Sequence, residues 1–296
     1  MAVIKKMEKN TETVPKKKAV KKSISMRTKK KMSKVKHVPS QSLGDYPILI
    51  HGPYGSGKTT LANMMGKVYN LMFEPNDSYA YVMDNVKCWE DFKDLKEEFL
   101  QGNHDFTTLS IDNVQVAYDL AMEYAGKKYG FEHPGGMNDY GASWNKVKKV
   151  FIPLVRELMM SDYGFLALCH TDEKELTTIS GKKYNALAPD LPKQAYQFLC
   201  AQVPNIFYYH FVNGERWLQI IGDEHIIAKN RMKGHFMTPS GEPVHKIPMG
   251  GSEEEACENL INAFNNLQEL PYNTTFVQKG ASKFKKSLKK KVLKKS

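Results

Sequence analysis

The stretch HGPYGSGKTTLANMMG, residues 51–66, decides the fold class of this chain. Within it, residues 52–59 (GPYGSGKT) match the phosphate-binding pattern G-x-x-x-x-G-K-[ST] at every fixed position. Glycines at these positions allow backbone N–H groups to curl around an anion without Cβ clashes. An apolar run, residues 46–50, precedes the loop and a helix-like run, residues 59–69, follows it, which is the strand–loop–helix context that the pattern requires.

This loop predicts a binding site for a nucleoside triphosphate with Mg²⁺. Lys58 is expected to reach the β- and γ-phosphates and to act in catalysis, and the Thr59 hydroxyl to bind the metal ion. The alternative is a glycine-rich turn that only caps a helix. The residues predicted to bind ATP are Gly52, Pro53, Tyr54, Gly55, Ser56, Gly57, Lys58, Thr59 and Thr60.

Asp112 is the predicted acidic partner of the loop. It ends the apolar run FTTLSID, residues 106–112, and we expect it to hold a Mg²⁺-bound water. The alternative is that Asp112 caps the helix that begins near Val114. The next residue is Asn113, where many ATPases have a glutamate, so the group that orients the attacking water lies elsewhere or is absent.

Two further polar residues end predicted strands. Glu74 follows the predicted strand 70–73, and in a parallel sheet that end emerges at the same edge as the loop. Glu74 is therefore the candidate general base, with a solvated turn carboxylate beside Pro75 as the alternative. His170 follows the predicted strand 165–169 and is a candidate γ-phosphate sensor, the alternative being an ordinary histidine at a strand end.

Apolar periodicity predicts an α/β fold: a mainly parallel twisted sheet with helices on both faces and an antiparallel hairpin at one edge. The hairpin spans residues 206–221 around the turn pair Asn213-Gly214. A helix over residues 252–270 starts with a capping-box pattern, Ser252 and Glu255, and has Leu267 on its apolar face. Residues 130–141 and 171–193 read as loops. The other predicted segments are strands 46–50, 70–73, 106–111 and 165–169, and helices 59–69, 89–100, 114–124 and 143–160.

The charge of +11 is unevenly distributed. Residues 1–41 carry 14 lysine and arginine residues against two acidic ones, residues 279–296 carry nine lysines and no acidic residue, and the remainder has a net charge of −10. We therefore predict disordered lysine-rich arms at 1–41 and 273–296, a core at 42–250 and a helix packed on it at 251–272. The arms are candidates for nucleic-acid contact. The alternatives are solubility alone, a nuclear-import-like signal, or arms that fold back on the acidic core until DNA displaces them.

Composition also bounds the cellular setting. The four cysteines are scattered without a C-x-x-C pair, which favours ordinary thiols in a reducing compartment over a zinc site. No run of 18 apolar residues and no signal-peptide pattern occur, so we expect a cytoplasmic protein with no membrane association.

The order of these features resembles RecA-fold ATPases, and most closely the phage RecA-like nucleotide-binding proteins that include Sak-type single-strand annealing ATPases. The segments that carry the resemblance lie within residues 44–250 and are GPYGSGKTT, CWEDF (88–92), TLSIDNV, DYGASWNKVK (139–148), FLALCHTDEKE (165–175), GERWL and AKNRMKG (228–234). The resemblance implies a RecA-like P-loop ATPase that acts on single-stranded DNA as a ring or filament homo-oligomer in the host cytoplasm. A single-strand binding protein is a further implied partner.

The resemblance also implies roles outside the loop. AKNRMKG is similar to a K-x-R-x-x-G element of replicative hexameric helicases, which makes Lys229 and Arg231 candidates to reach the nucleotide of a neighbouring subunit. The alternative is two solvated basic residues after a strand. The two DNA-binding loops of RecA-type proteins correspond to residues 130–141 and 171–193. The second contains Lys182, Lys183 and Tyr184, whereas the first departs from the pattern by carrying acidic residues.

Three functions follow from this sequence. The first is a Mg²⁺-dependent ATPase acting on single-stranded DNA in phage recombination or replication. The second is a nucleic-acid binding and annealing protein that ATP switches without hydrolysis. The third, a small-molecule kinase, is disfavoured because an arginine-rich substrate lid is absent; the core contains only Arg156, Arg216 and Arg231.

Overall fold

A computed structural model describes residue 32 and residues 34–75, 81–136, 139–178 and 180–272. The predictions of disorder for residues 1–31 and 273–296 therefore lie outside the described residues. The chain divides into two units, Met1–Val38 and Pro39–Ser296. The few described residues of the first unit contain no helix or strand, and the architecture below is that of the second.

The described part of the second unit contains nine strands and six α-helices, which alternate through most of the chain. The strands are β1 Ile48–Gly52, β2 Val68–Met72, β3 Met83–Asn85, β4 Thr108–Asp112, β5 Gly164–Thr177, β6 Lys183–Pro189, β7 Asn205–Val212, β8 Glu215–Gln219 and β9 Lys246–Gly250. The helices are α1 Lys58–Asn63, α2 Trp89–Leu100, α3 Val114–Tyr129, α4 Ala142–Met159, α5 Lys193–Gln202 and α6 Glu253–Phe264.

One sheet organises the unit, in the order β3-β2-β4-β5-β1-β7-β8-β9. The strands from β3 to β7 along this path are parallel, and β8 and β9 are added antiparallel at one edge. The predicted α/β architecture, with its antiparallel hairpin β7–β8, is therefore confirmed. Because β1, β2, β4 and β5 are parallel, the residues that follow them meet at one edge of the sheet.

The sheet has an apolar core on each face, so its central strands are buried on both sides. Leu49 of β1 and Ala167 of β5 pack in the first core with residues of α2, α3, α4 and α5. Their neighbours Ile48 and Leu166 point the other way and pack in the second core with residues of α1 and α6. Alternate residues of one strand thus serve opposite faces, which confirms helices on both sides.

The predicted helix 59–69 is wrong beyond Asn63, where α1 ends. Gly66 has a φ of +157°, and the chain turns there into β2. Val68, which was assigned to the helix, instead pairs with Thr108 in β4 and is buried in the second core. The β-branched and aromatic residues at 68 and 69 favour a strand once β4 offers a partner.

The interpretation of residues 171–193 as a loop is also wrong. β5 continues past His170 to Thr177, and β6 returns antiparallel to it, from Lys183 opposite Thr177 to Pro189 opposite Thr171. The turn between them includes Gly181 at a φ of +83°. A two-stranded ribbon with polar residues on both faces has little apolar alternation, so its sequence reads as a loop. The helix α5 then begins at Lys193, and neither it nor β3 and β9 was predicted.

The start of α6 is as predicted, but its end is not. The Ser252 hydroxyl accepts a hydrogen bond from the Glu255 backbone N–H at 3.1 Å, which caps the helix. The Glu255 carboxylate accepts from the N–H of Gly251 rather than from Ser252, so only half of the capping box forms. α6 ends at Phe264, and Leu267 is 61% exposed instead of lying on the apolar face.

Candidate nucleotide-binding site

The loop between β1 and α1 has a backbone shape that requires glycine at three positions. Gly55 and Gly57 have φ angles of +68° and +91°, in the left-handed region that side chains rarely tolerate. A Cβ at Gly52 would lie 2.1 Å from the backbone carbonyl oxygen of Tyr209 in β7. The glycines of the motif are thus required by the loop itself and by its contact with the next strand.

The interior of this loop fits an anion with several oxygens. The Ser56 side chain is buried, and its hydroxyl has no hydrogen-bond partner among the described residues. The backbone N–H groups of Gly55 and Gly57 have no backbone acceptor in the part of the chain that the structure describes. A buried polar group without a partner is rare in proteins, and clustered N–H groups in such loops bind phosphate.

Lys58 is buried within the loop. Its Nζ donates hydrogen bonds to the carbonyl oxygens of Gly52 (3.1 Å) and Pro53 (2.9 Å) and lies 3.4 Å from Nδ1 of His170. Because an ammonium group only donates, Nδ1 of His170 accepts, and the neutral ring carries its proton on Nε2. Burial lowers the pKa of Lys58, while the charge of Asp112 opposes that shift.

Thr59 and Asp112 are brought together as predicted for metal binding. The Thr59 hydroxyl donates to Oδ2 of Asp112 at 2.6 Å, and burial raises the pKa of this carboxyl. No cluster of three His, Cys, Asp or Glu residues suited to a metal occurs in the described residues. A hydroxyl and one carboxylate instead fit Mg²⁺, which is bound through few protein oxygens together with substrate phosphates.

The structure places Asp112 beside the loop, while Asn113 and not Asp112 caps α3. The side-chain oxygen of Asn113 accepts from the N–H of Gln115 at 2.8 Å. The alternative role of Asp112 as the helix cap is therefore wrong, because the cap position of α3 is already filled by its neighbour.

Glu74 follows the end of β2 and lies close to Asn113 and His170. Its Oε1 accepts a hydrogen bond from Nδ2 of Asn113 at 3.3 Å and lies 3.8 Å from Nε2 of His170. Asn113, which stands where many ATPases have a glutamate, thus holds the carboxylate of Glu74, which we expect to act as general base. The catalytic role of Glu74 stays a prediction.

His170 is covered by an aromatic ring that the sequence did not reveal as its partner. The Tyr54 ring stacks on the imidazole with a centroid separation of 3.8 Å and an interplanar angle of 30°. Tyr54 is 75% exposed, so it covers His170 from the solvent side. Burial and the charge of Lys58 lower the pKa of His170, with Glu74 opposing, which favours the neutral ring at neutral pH.

The last residue of the predicted loop, Thr60, lies in the first turn of α1. It borders an open groove of about 240 Å³ outside the phosphate loop. The other residues that line this groove are Asn63, Met64, Tyr81, Glu253 and Glu254.

Lys229 and Arg231 are not brought to the loop of their own chain. Nζ of Lys229 donates to the carbonyl oxygen of Cys200 in α5 at 2.7 Å, and the Lys229 backbone pairs with Ile206 in β7. The backbone N–H of Arg231 donates to the side chain of Asn205 at 2.9 Å, and the Arg231 side chain is exposed. Neither side chain has a described contact with the phosphate loop, so any role at a nucleotide stays a prediction.

His51 in β1 connects the strand before the phosphate loop to the segment just before Lys229. The sequence did not indicate this role for His51. Its Nε2 lies 2.8 Å from the carbonyl oxygen of Ile227 and its Nδ1 2.8 Å from the Thr171 hydroxyl. The carbonyl can only accept, so Nε2 carries the proton and Nδ1 accepts from Thr171. Complete burial is the main cause that lowers the pKa of His51 to about 3.

We expect His51 to make the stability of the fold depend on pH. An unfolded chain takes up this proton near pH 6.5, whereas the folded chain resists it down to about 3. The contribution is therefore complete above pH 6.5 and is lost as the pH falls from 6.5 to 3, at about 1.4 kcal/mol per pH unit. Urea unfolding at several pH values should show a shallower dependence for His51→Gln than for wild type. Replacement of the exposed His225 by glutamine is the control, and equal slopes for wild type and His51→Gln would contradict the assignment.

The comparisons with known proteins agree with this geometry. Residues 45–232, more than half of the chain, match the family described as an AAA domain. The chain belongs to the AAA domain family. The family match contains the whole phosphate loop together with Glu74, Asp112, His170, Lys229 and Arg231, and this AAA domain is thus a P-loop ATPase domain.

Other comparisons add little to the AAA domain match. A KaiC-like protein from the hyperthermophilic archaeon Pyrococcus horikoshii aligns with a TM-score of 0.41 and 12% identity, over 71% of this chain and 87% of that chain. Among curated proteins, none matches the chain. No helix in the described residues has the length and apolar character needed to cross a membrane.

Proposed function

We propose that this AAA-domain protein hydrolyses ATP with Mg²⁺ and acts on single-stranded DNA in phage recombination or replication. The observation that carries the ATPase proposal is the convergence of Lys58, the Thr59–Asp112 pair and Glu74 at one edge of the sheet. A loop that only capped a helix would not need an acidic partner for Thr59 and a second carboxylate within the same cluster. The DNA substrate is supported by the family resemblance and by the lysine-rich arms.

The residues of the site have distinct roles in this proposal. Lys58 exchanges its loop carbonyls for the β- and γ-phosphate oxygens and neutralises their charge. Thr59 and Asp112 hold Mg²⁺, which when bound stabilises the negative charge that develops on the phosphates. Glu74 accepts a proton from the attacking water. His170, which stacks on Tyr54, donates a hydrogen bond from Nε2 toward the position of the γ-phosphate. It thereby senses whether the terminal phosphate is present.

A homo-oligomer, either a ring or a filament, belongs to the same proposal. Lys229 and Arg231 have no described contact with the phosphate loop of their own chain, and Arg231 is exposed. An arginine supplied by a neighbouring subunit can complete a nucleotide site, and the exposed Arg231 is available for that role. His51 joins the phosphate-loop strand to the segment just before Lys229, which connects the two regions.

The second candidate is a nucleic-acid binding or annealing protein that ATP switches without hydrolysis. It is favoured by one observation: Asn113 stands where many ATPases have a glutamate, and Glu74 approaches the site from another strand. The two candidates differ in whether Glu74 moves a proton.

Glu74→Gln tests this difference. We expect steady-state ATP hydrolysis to fall about 100-fold or more, because a general base contributes on the order of 100- to 10,000-fold. ATP affinity should stay near that of wild type, since Glu74 does not contact the phosphate loop. The matched control is Glu97→Gln, an exposed residue of α2. If the wild-type protein does not hydrolyse ATP while ATP still alters its binding to an oligonucleotide, the proposed ATPase is wrong and the protein is the ATP-switched nucleic-acid binding protein.

A further inference from the structure

We infer that a surface of alternating lysines and aromatic rings on α2, α3 and α4 binds single-stranded nucleic acid. This lysine–tyrosine surface consists of Lys93, Tyr124, Lys128, Tyr129 and Lys146. The inference deepens the proposed function, on which its biological meaning rests, by locating the contact surface for the polymer. It differs from the terminal arms and from the two segments that the family resemblance indicates.

Each residue of the surface is linked to the next by a cation–π contact. Nζ of Lys93 lies 4.7 Å from the ring centroid of Tyr124. Nζ of Lys128 lies 5.6 Å from the same ring and 5.5 Å from that of Tyr129. Nζ of Lys146 lies 5.6 Å from the Tyr129 ring. The result is a continuous order of lysine, tyrosine, lysine, tyrosine, lysine across three helices.

The far end of this surface is fixed to the core. Nζ of Lys146 also lies 5.8 Å from the ring of Phe131, which is buried in the first core. Tyr129 is 39% exposed and Lys128 is exposed, while Lys93 and Lys146 are partly covered by the rings beside them. Lys128 and Tyr129 are therefore accessible to a ligand.

The ammonium groups of the surface are not neutralised. Among the described residues, none of its three lysines lies within ion-pair distance of a carboxylate, whereas Lys67, Lys96 and Lys183 do. The three ammonium groups are therefore available to an anion.

Nearby acidic residues form no ion pair with these three lysines in the described part of the chain. The charge of Lys146 is among the causes that lower the pKa of Asp139, but the Asp139 oxygens accept hydrogen bonds from the backbone N–H groups of Gly141 and Ser143 and form no ion pair with Lys146. Glu123 and Glu132 are adjacent in sequence to the surface but form no ion pair with its lysines within the described chain. The described acidic residues of this region thus leave the three ammonium groups without an ion pair.

The alternation of lysines and aromatic rings favours nucleic acid over an acidic protein as the ligand of this surface. A single strand presents phosphates and flat bases in turn, so a lysine that moves from its ring to a phosphate neutralises the former and exposes a ring face that can stack on the latter. An acidic peptide needs the ammonium groups but gains little from tyrosine faces. The β5–β6 ribbon, the other basic candidate, is weaker because Nζ of Lys183 lies 2.8 Å from the Glu175 carboxylate.

Binding of a short fluorescent oligothymidylate to the full chain, across a range of salt concentrations, tests the inference. For the double variant Lys128→Gln/Lys146→Gln we expect about tenfold weaker binding and a salt slope reduced by about 1.4, because each lysine neutralises one phosphate and each such phosphate of a single strand contributes about 0.7 to the slope. The matched control is Lys193→Gln/Lys233→Gln, which removes the same charge from exposed positions elsewhere and should leave both values unchanged. Binding and slope equal to wild type in the first variant would overturn the surface and leave the arms as the contact.

Tyrosine variants separate stacking from charge. Tyr129→Ala should weaken oligothymidylate binding several-fold with little change in salt slope, whereas Tyr129→Phe should bind as wild type does, because stacking needs only the ring. Ultraviolet cross-linking of the wild-type complex should label peptides that contain Tyr124 or Tyr129. If a polyglutamate probe loses binding to the lysine variant while the oligothymidylate does not, the surface serves an acidic protein and the inference is wrong. ATP affinity, measured in the same variants, should not change, so failure of this surface is distinguishable from failure of the ATPase.

Discussion

Lys58→Ala is expected to remove hydrolysis and most ATP binding. Lys58 is the one cation inside the described loop, and its loss leaves the β- and γ-phosphate charge without a partner. A hydrogen bond to a charged group contributes about 1.5–3 kcal/mol, so affinity should fall about 10- to 100-fold. The loss should be larger in the transition state, where we expect at least about a 100-fold decrease in turnover. Titration with a fluorescent ATP analogue and a phosphate-release assay measure the two effects.

The control for this variant is Lys67→Ala. Lys67 lies in the turn just after α1 and pairs with Asp105 at the surface, so its removal deletes a lysine nearby without touching the loop. An exposed ion pair contributes roughly 1 kcal/mol or less, and the control should hydrolyse ATP as wild type does. If Lys58→Ala binds and hydrolyses ATP normally, the phosphate loop is not the nucleotide site and the proposed function is lost.

Asp112→Asn should produce the second largest effect, on the metal ion rather than on the phosphates. The amide oxygen of the introduced asparagine could still accept from the Thr59 hydroxyl, but the side chain would lack the charge that attracts Mg²⁺. Removing a group that holds a metal through a bound water lowers metal affinity about 10- to 100-fold. Turnover at low Mg²⁺ should fall accordingly and recover in part at high Mg²⁺. A Mg²⁺ titration of ATPase rate measures this shift.

A measurement of thermal stability distinguishes the loss of metal affinity in Asp112→Asn from misfolding of the variant. Burial raises the pKa of Asp112, which means that the folded chain bears a cost for keeping the carboxylate charged at neutral pH. A neutral asparagine removes that cost, so the thermal midpoint of Asp112→Asn should equal or exceed that of wild type. The control, Asp119→Asn, changes a partly buried carboxyl of α3 without a described contact to the loop. A wild-type Mg²⁺ dependence in Asp112→Asn would show that the metal is held elsewhere.

Local patterns predicted the parts of the site that a short segment contains. The phosphate loop and the acidic end of β4 each depend on residues adjacent in sequence, and each was placed correctly, while the strand before the loop was predicted two residues too early, at 46–50 instead of Ile48–Gly52. The end of β2, with Glu74, came to the same edge because parallel strands leave little choice of position. Helix lengths were less predictable: α1 stops at Asn63 because β2 finds a partner in β4, which no local pattern contains.

The contacts that pair distant residues were not predictable. The stack of Tyr54 on His170 joins positions on two different elements, and the pairing of Lys183 with Glu175 needs a ribbon that the sequence showed as a loop. His51 looked like one residue of an apolar strand until its bonds to Thr171 and Ile227 were known. Apolar periodicity shows which face of a strand or helix a residue occupies, but not which residue of another element lies against it.

By itself, the sequence determined that this chain has a phosphate-binding loop on a parallel α/β sheet and that its charge is divided between an acidic core and basic ends. These properties follow from residue spacing and composition, which act locally. The tertiary structure decided which lysines remain unpaired, which ring covers His170 and which groups bond His51. Those outcomes depend on packing between elements far apart in the chain, because an ion pair or a ring stack forms only where the fold brings two side chains within a few ångströms.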